Sequence, residues 1–241
     1  MGLCLDKLST DFQSILSNDE YERIPLVSIE QAIQPLVSLL PNIEIYVEKV
    51  KEKCLDPADG LTSDQSASIM LYSMLWQPFD QCLYTVLNSI LQTLNQLNLE
   101  PWLLYLKLLF TALLTLPSDQ TTVYRGSKSD LSQEYPINSL ILWWDLPLCT
   151  SSREYLQSSQ CSGQTGLQTI FIIECNTVKN IEKHCYDSSN QYRLFLPATK
   201  FQIIDRNYQE KEKFYLIKLQ EIEQSFLLNF TNQIRSNVFQ R

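Results

Sequence analysis

Histidine is all but missing from this chain: His184 is the single one in 241 residues. That excludes zinc sites built on several imidazoles, and a Ser-His-Asp triad could be assembled only around this residue. The plain reading of His184 is structural. Paired cysteines are missing too. The seven cysteines, at 4, 54, 82, 149, 161, 175 and 185, are odd in number and form no C-x-x-C pair. This suits reduced thiols in a cytoplasmic protein better than a disulfide framework. Basic charge is scarce: 19 Lys and Arg against 27 Asp and Glu give a formal charge of −8 and a pI near 4.8. A general nucleic-acid binder, whose affinity rests on basic phosphate contacts, is excluded as a class. Long apolar runs are lacking as well. The most apolar segment, 102–116, is too short to span a bilayer and is interrupted by Lys107, so it reads as a buried helix and no membrane partner is expected. The opening stretch MGLCLDKLSTDFQS holds no apolar run of secretory-signal length.

What remains is an ordinary globular composition, 44% hydrophobic and 19% charged, with material for one large domain or two small ones. Residues 1–22 are polar and unpatterned, a leader. From 23 to 118 the apolar spacing is helical. Over 28–50 it is broken by Pro35 and Pro41 into short pieces. Thr62-Ser63-Asp64 can cap a helix over 66–75, a longer helix is expected over 79–97, and Pro101 and Pro117 bracket the next. After Pro117 the pattern turns to strands, expected at 120–124, 139–144, 168–174, 193–196, 200–204 and 214–219. A helical turn near 155–159 and a tail or terminal helix within 223–241 complete the pattern. The fold class is α+β, a helical lobe followed by a β core over 119–222.

Three short motifs punctuate the β half. Val123-Tyr124-Arg125-Gly126 ends the first strand. Trp143-Trp144-Asp145-Leu146-Pro147-Leu148-Cys149-Thr150 closes the second, and Asn190-Gln191-Tyr192-Arg193-Leu194-Phe195-Leu196-Pro197 runs into a later one. In this order they resemble the arginine-specific mono-ADP-ribosyltransferase family, the NAD(P)+–protein-arginine ADP-ribosyltransferases. Gly60-Leu61-Thr62-Ser63-Asp64 and Ile69-Met70-Leu71-Tyr72 are similar to the helical lobe that precedes that catalytic domain, so the resemblance covers nearly the whole chain. It implies a β core of two small, mostly antiparallel sheets with a cleft for NAD. It also implies NAD or NADP as co-substrate, a protein acceptor and no metal. Arg125 would hold the pyrophosphate beside Tyr124, Gly126 and Thr150, with Gly126 letting the backbone approach closely.

The chemistry of the family asks for more than this sequence supplies. Breaking the nicotinamide–ribose bond passes through an oxocarbenium-like transition state, which a carboxylate stabilises, and a serine helps to position the ribose. The family pattern of Ser-Ser-Cys-Thr after Trp-Trp puts Leu148 in the serine's place. A shifted register would use Thr150-Ser151-Ser152 instead. The family's Glu-x-Glu falls on Asn190 and Tyr192, or on Gln191 and Arg193 if the alignment moves by one residue. Neither register contains a carboxylate. Asp187 and Glu174 are the acids that a rearranged site could recruit. Two functions from different classes follow: an impaired copy that keeps NAD binding through Arg125, or an active transferase with a non-standard acid. A third, an interaction protein working through its helices, has no sequence support, since nothing in the pattern marks an exposed groove.

Overall fold

A computed structural model of the chain describes residues 23–93, 96–157, 168–211 and 213–223. The expected leader over 1–22, the Gly163-Gln164-Thr165-Gly166 loop and the expected terminal helix lie outside the described residues. The chain divides into two compact units, one holding 23–116 and 183–187, the other 117–182 and 188–223.

The first unit is helical because its apolar residues recur at three and four. Ser28 caps α1 (Ile29–Ile33) through a reciprocal pair with Gln31, and Pro35 then turns the chain into a short 3-10 segment. The helical pattern over 28–50 therefore becomes separate pieces, the second being α2 (Ile43–Lys53). Thr62 caps α3 (Ser63–Ser73) with Gln65 in the same reciprocal way, one turn earlier than the apolar spacing alone suggests. After α4 (Leu83–Thr93) and α5 (Gln96–Leu99) comes α6 (Leu103–Thr115), which buries Tyr105, Leu109, Phe110 and Leu113 and packs against α3. Tyr105 donates its hydroxyl to the Ser68 carbonyl at 2.8 Å, giving the buried phenol its partner. Among the described residues no helix is long and apolar enough to cross a membrane.

His184 belongs to this unit and is fully buried there. Its Nδ1 lies 3.0 Å from Ser66 Oγ and its Nε2 lies 3.3 Å from Asp59 Oδ2. The three residue types of a hydrolytic triad therefore do meet. Ser66 is only 2% exposed, however, so no substrate reaches its hydroxyl. The cluster tethers the 183–187 segment to the helices, and Lys183, 3.0 Å from Asp59, adds a second tie.

The second unit is a sheet of seven strands: β1 (Ser118–Ser127), β2 (Leu140–Trp143), β3 (Leu148–Thr150), β4 (Thr169–Asn180), β5 (Tyr192–Leu194), β6 (Thr199–Gln209) and β7 (Phe214–Glu223). A short helix, α7 (Arg153–Gln157), follows β3. All pairings are antiparallel except β4 with β7. Where two sheets were expected, hydrogen bonds join all seven strands in the order β1-β3-β5-β4-β7-β6-β2, and β1 also pairs β4 directly. The reason is the length of β4. It takes β1 along one edge and β7 along the other, and its last residues still reach β5. Trp143 sits at the centre of the core beneath, with ring contacts to Phe171, Phe195 and Phe201 at 5.7, 6.3 and 4.8 Å. Its indole N–H donates to the Tyr135 hydroxyl at 3.1 Å.

Candidate functional site

Side chains alternate across a strand, so pairing register decides which candidates share a face. In β1, Val123 points into the core; Arg125, two residues on, lies on the same face, opposite Phe171 of β4. The guanidinium stacks 4.9 Å from the Trp143 ring and its Nη2 donates to Asp145 Oδ2 at 3.1 Å. The Arg125 side chain keeps about a quarter of its surface exposed, whereas Asp145 is almost buried. A cation held between an aromatic face and a carboxylate is well fixed, and guanidinium N–H groups are the right kind of donor for phosphate oxygens.

Tyr124 takes the other face. It pairs with Thr150 of β3, which pairs in turn with Tyr192 of β5. Leu148 pairs with Leu194 on that same face. Thr150 is buried; its hydroxyl donates to the Asn190 carbonyl at 2.9 Å and accepts from the Ser152 amide at 3.1 Å. Ser151 Oγ donates to Gln191 Oε1 at 3.1 Å. The Thr150-Ser151-Ser152 element and the Asn190-Gln191 turn are therefore brought together. Gln191 has a φ of 47°, a left-handed conformation that tightens this turn.

The residues assigned to the serine and glutamate by the first register, Leu148 and Tyr192, thus lie on the face opposite Arg125. On the face of Arg125 lies Arg193, from the Glu-x-Glu alignment moved by one residue, together with Cys149, which neither serine register named. β3 pairs Tyr124 with Thr150 and β5 pairs Arg193 with Cys149, so Arg125, Cys149 and Arg193 fall in one row across β1, β3 and β5. A shift of one residue inverts every side chain, which is why the choice of anchor mattered. Cys149 is buried, and burial pushes its thiol far above the usual range, so it is not a nucleophile. Arg193 lies 3.6 Å from Asp119 and 3.5 Å from Glu182, and its Nη1 donates to the Gln191 and Tyr192 carbonyls at 3.2 and 3.1 Å.

Neither row carries a carboxylate. Of the acids considered for recruitment, Glu174 is ion-paired with Lys218 at 2.6 Å, and Asp187 is exposed in the 183–187 segment. Glu154 on α7 went unconsidered in the sequence. Its Oε2 accepts from Ser152 Oγ at 3.0 Å, and hydrogen bonds to its own backbone amide and to Ser152 hold its carboxyl below the usual range. Asp145 as the partner of Arg125 was also missed, because no spacing rule links a strand-end arginine to an acid twenty residues on. Among the described residues no group of three or more His, Cys, Asp or Glu could hold a metal ion.

No family model and no curated protein matches the sequence. Solved structures do resemble the fold. The type III effector XopAI of Xanthomonas axonopodis pv. citri gives a TM-score of 0.64 at 16% identity, over 91% of this chain and 92% of its own. HopU1, an ADP-ribosyltransferase of Pseudomonas syringae pv. tomato DC3000, gives 0.59 at 17% identity over 73% and 87%. Exoenzyme S of Pseudomonas aeruginosa, solved with human 14-3-3 protein beta and carba-NAD, gives 0.57 at 13% identity over 80% and 88%. At such low identity the likeness is one of architecture: this chain has the ADP-ribosyltransferase fold.

Proposed function

We propose that the chain binds NAD through Arg125 and does not transfer ADP-ribose, a silent copy of an arginine-directed mono-ADP-ribosyltransferase. The observation that carries this reading is the row Arg125–Cys149–Arg193. Where the chemistry needs a carboxylate beside a developing positive charge, the face of Arg125 offers a second guanidinium. Two strand spacings of about 4.8 Å put the two backbones roughly 10 Å apart. The carboxylates near that guanidinium, Asp119 and Glu182, are ion-paired with Arg193, and losing one contact that stabilises an oxocarbenium-like transition state costs on the order of 10²–10³ in rate. The expectation of NAD as ligand is supported by the fold and by the donor chemistry of Arg125. Its present anion is the Asp145 carboxylate, so holding a pyrophosphate means exchanging one anion for another. The buried thiols of the five described cysteines, none of them in a disulfide, fit the cytoplasmic placement that goes with this reading.

The test is transfer of labelled ADP-ribose from NAD to polyarginine, with NAD hydrolysis followed alongside and binding read by thermal shift. Binding lost in Arg125→Ala, with silence in both reaction channels, is the expected result. The two registers can also be separated. Arg193→Glu, if folded, is expected to gain hydrolysis, whereas Leu148→Ser with Tyr192→Glu is not. The second reading, an active transferase, is favoured by the Glu154–Ser152 contact at the end of β3. Wild-type turnover abolished by Glu154→Gln would establish it.

A further inference from the structure

Strand β4 is not regular. Between Cys175 and Val178 it advances three residues where β1 advances two, from Thr121 to Asp119, so one extra residue is inserted at Asn176–Thr177. The insertion changes which residues face the core. Phe171, Ile173 and Cys175 alternate onto it, and so does Val178, three residues after Cys175. Asn180 then follows Val178 onto that face, and Asn180 pairs with Arg193 of β5. The pairings of β1, β3, β5 and β4 form a closed ring, because β4 returns to β1. Traced through β3, Arg193 falls on the face of Arg125. Traced through β4, it falls there only because of the extra residue. Strict alternation would bring Lys179 and its partner Leu194 to that face, and the two routes round the ring would disagree.

A bulge leaves backbone amides without a place in the ladder. Here they converge on one side chain. Asn176 and Thr177 donate their N–H groups to Glu221 Oε2 at 2.7 and 3.1 Å, and the Thr177 hydroxyl donates to Glu221 Oε1. Backbone pairing of β4 with β7 stops at Glu174 and Gln220, and Glu221 is the next residue of β7. Its side chain therefore takes over where the ladder ends. Glu221 is only 6% exposed, a depth at which a carboxylate is costly unless hydrogen-bonded, and three donors meet it.

We propose that Glu221 is a positioning residue for the nucleotide site. It caps the β4 bulge, and through the bulge it sets which residues of β5 stand on the face of Arg125. The placement of β5 follows from the pairings, and only its bearing on NAD rests on the function proposed above.

Amide hydrogen exchange followed by NMR separates this role from general stabilisation of the sheet, which would alter every strand alike. In Glu221→Gln an oxygen remains for the two amides without the charge. Exchange at Asn176 and Thr177 should rise about tenfold, with β5 close to wild type. In Glu221→Leu the rise should reach about a hundredfold and extend to Tyr192–Leu194, while residues 170–173 of β4 and Ile203 of β6 keep their wild-type rates. NAD binding should weaken in Glu221→Leu and be restored in Glu221→Gln. Unchanged exchange at Asn176 and Thr177 in Glu221→Gln would overturn the proposal even if the leucine variant does not fold. So would equal acceleration in every strand, or undiminished NAD affinity once β5 has loosened. A wild type that binds no NAD would instead remove the function proposed above, and the exchange pattern would still decide what Glu221 holds in place.

Discussion

At the scale of single residues, the Arg125–Asp145 ion pair has the clearest consequence. Asp145 competes with any anion that Arg125 could bind, so Asp145→Asn is expected to tighten NAD binding by several-fold, up to about tenfold, a partly exposed pair contributing on the order of 1 kcal/mol. Titration calorimetry on both proteins reads this directly, and unchanged or weaker affinity would remove Asp145 from the account. His184 gives a pH dependence. Burial lowers its pKa from the usual 6.5, outweighing the Asp59 carboxylate that raises it. The unfolded chain therefore takes up the proton first. The stabilising contribution is complete above pH 6.5 and is lost as the pH falls through the lowered native value. Urea melts between pH 7.5 and 5 should show stability declining with acid, and His184→Gln should flatten that decline.

At the scale of elements, Thr62 and Trp143 carry local predictions. Thr62→Ala removes one half of the reciprocal cap on α3 and should cost about 1 kcal/mol. Trp143→Ala should cost about 3–5 kcal/mol, because the buried indole contacts three core aromatics. Chemical denaturation of each variant measures both. The sequence showed the helices of 28–115 and most strands because period and punctuation agree there: capping residues precede the helices, and Gly, Pro and Asn clusters flank the strands. It hid β3, which has three residues and follows Pro147, too short a run for any periodicity to register. That omission carried into the site. Without β3 there was no cross-strand partner to fix which of Leu148, Cys149 or Thr150 shares a face with Arg125. The motif anchors alone then placed Leu148 and Tyr192 beside it. Arg125 was singled out only by the order of the three motifs, the tetrapeptide alone being no more than a common strand arginine, and its face comes from the pairing with β4.

At the scale of the molecule, the five described cysteines are buried and none forms a disulfide. Burial pushes the Cys175 thiol up to about 12, a state in which almost no thiolate is present at neutral pH. Brief iodoacetamide treatment of the native protein should leave Cys54, Cys82, Cys149, Cys175 and Cys185 unlabelled by peptide mass mapping. Labelling at Cys149 would contradict the packing of the Arg125 row. The centrality of β4 bears also on how the chain is made. Its two edges are filled from opposite directions, by β1 some fifty residues earlier and by β7 some forty-five later. Nothing local completes the sheet, so β4 emerges during synthesis with one edge satisfied and the other waiting for Phe214–Glu223. Until that last strand arrives, the nascent chain presents an open row of amides and carbonyls flanked by Ile170, Phe171 and Ile173, a surface that favours self-association. Slow formation of the sheet follows from that one parallel pairing.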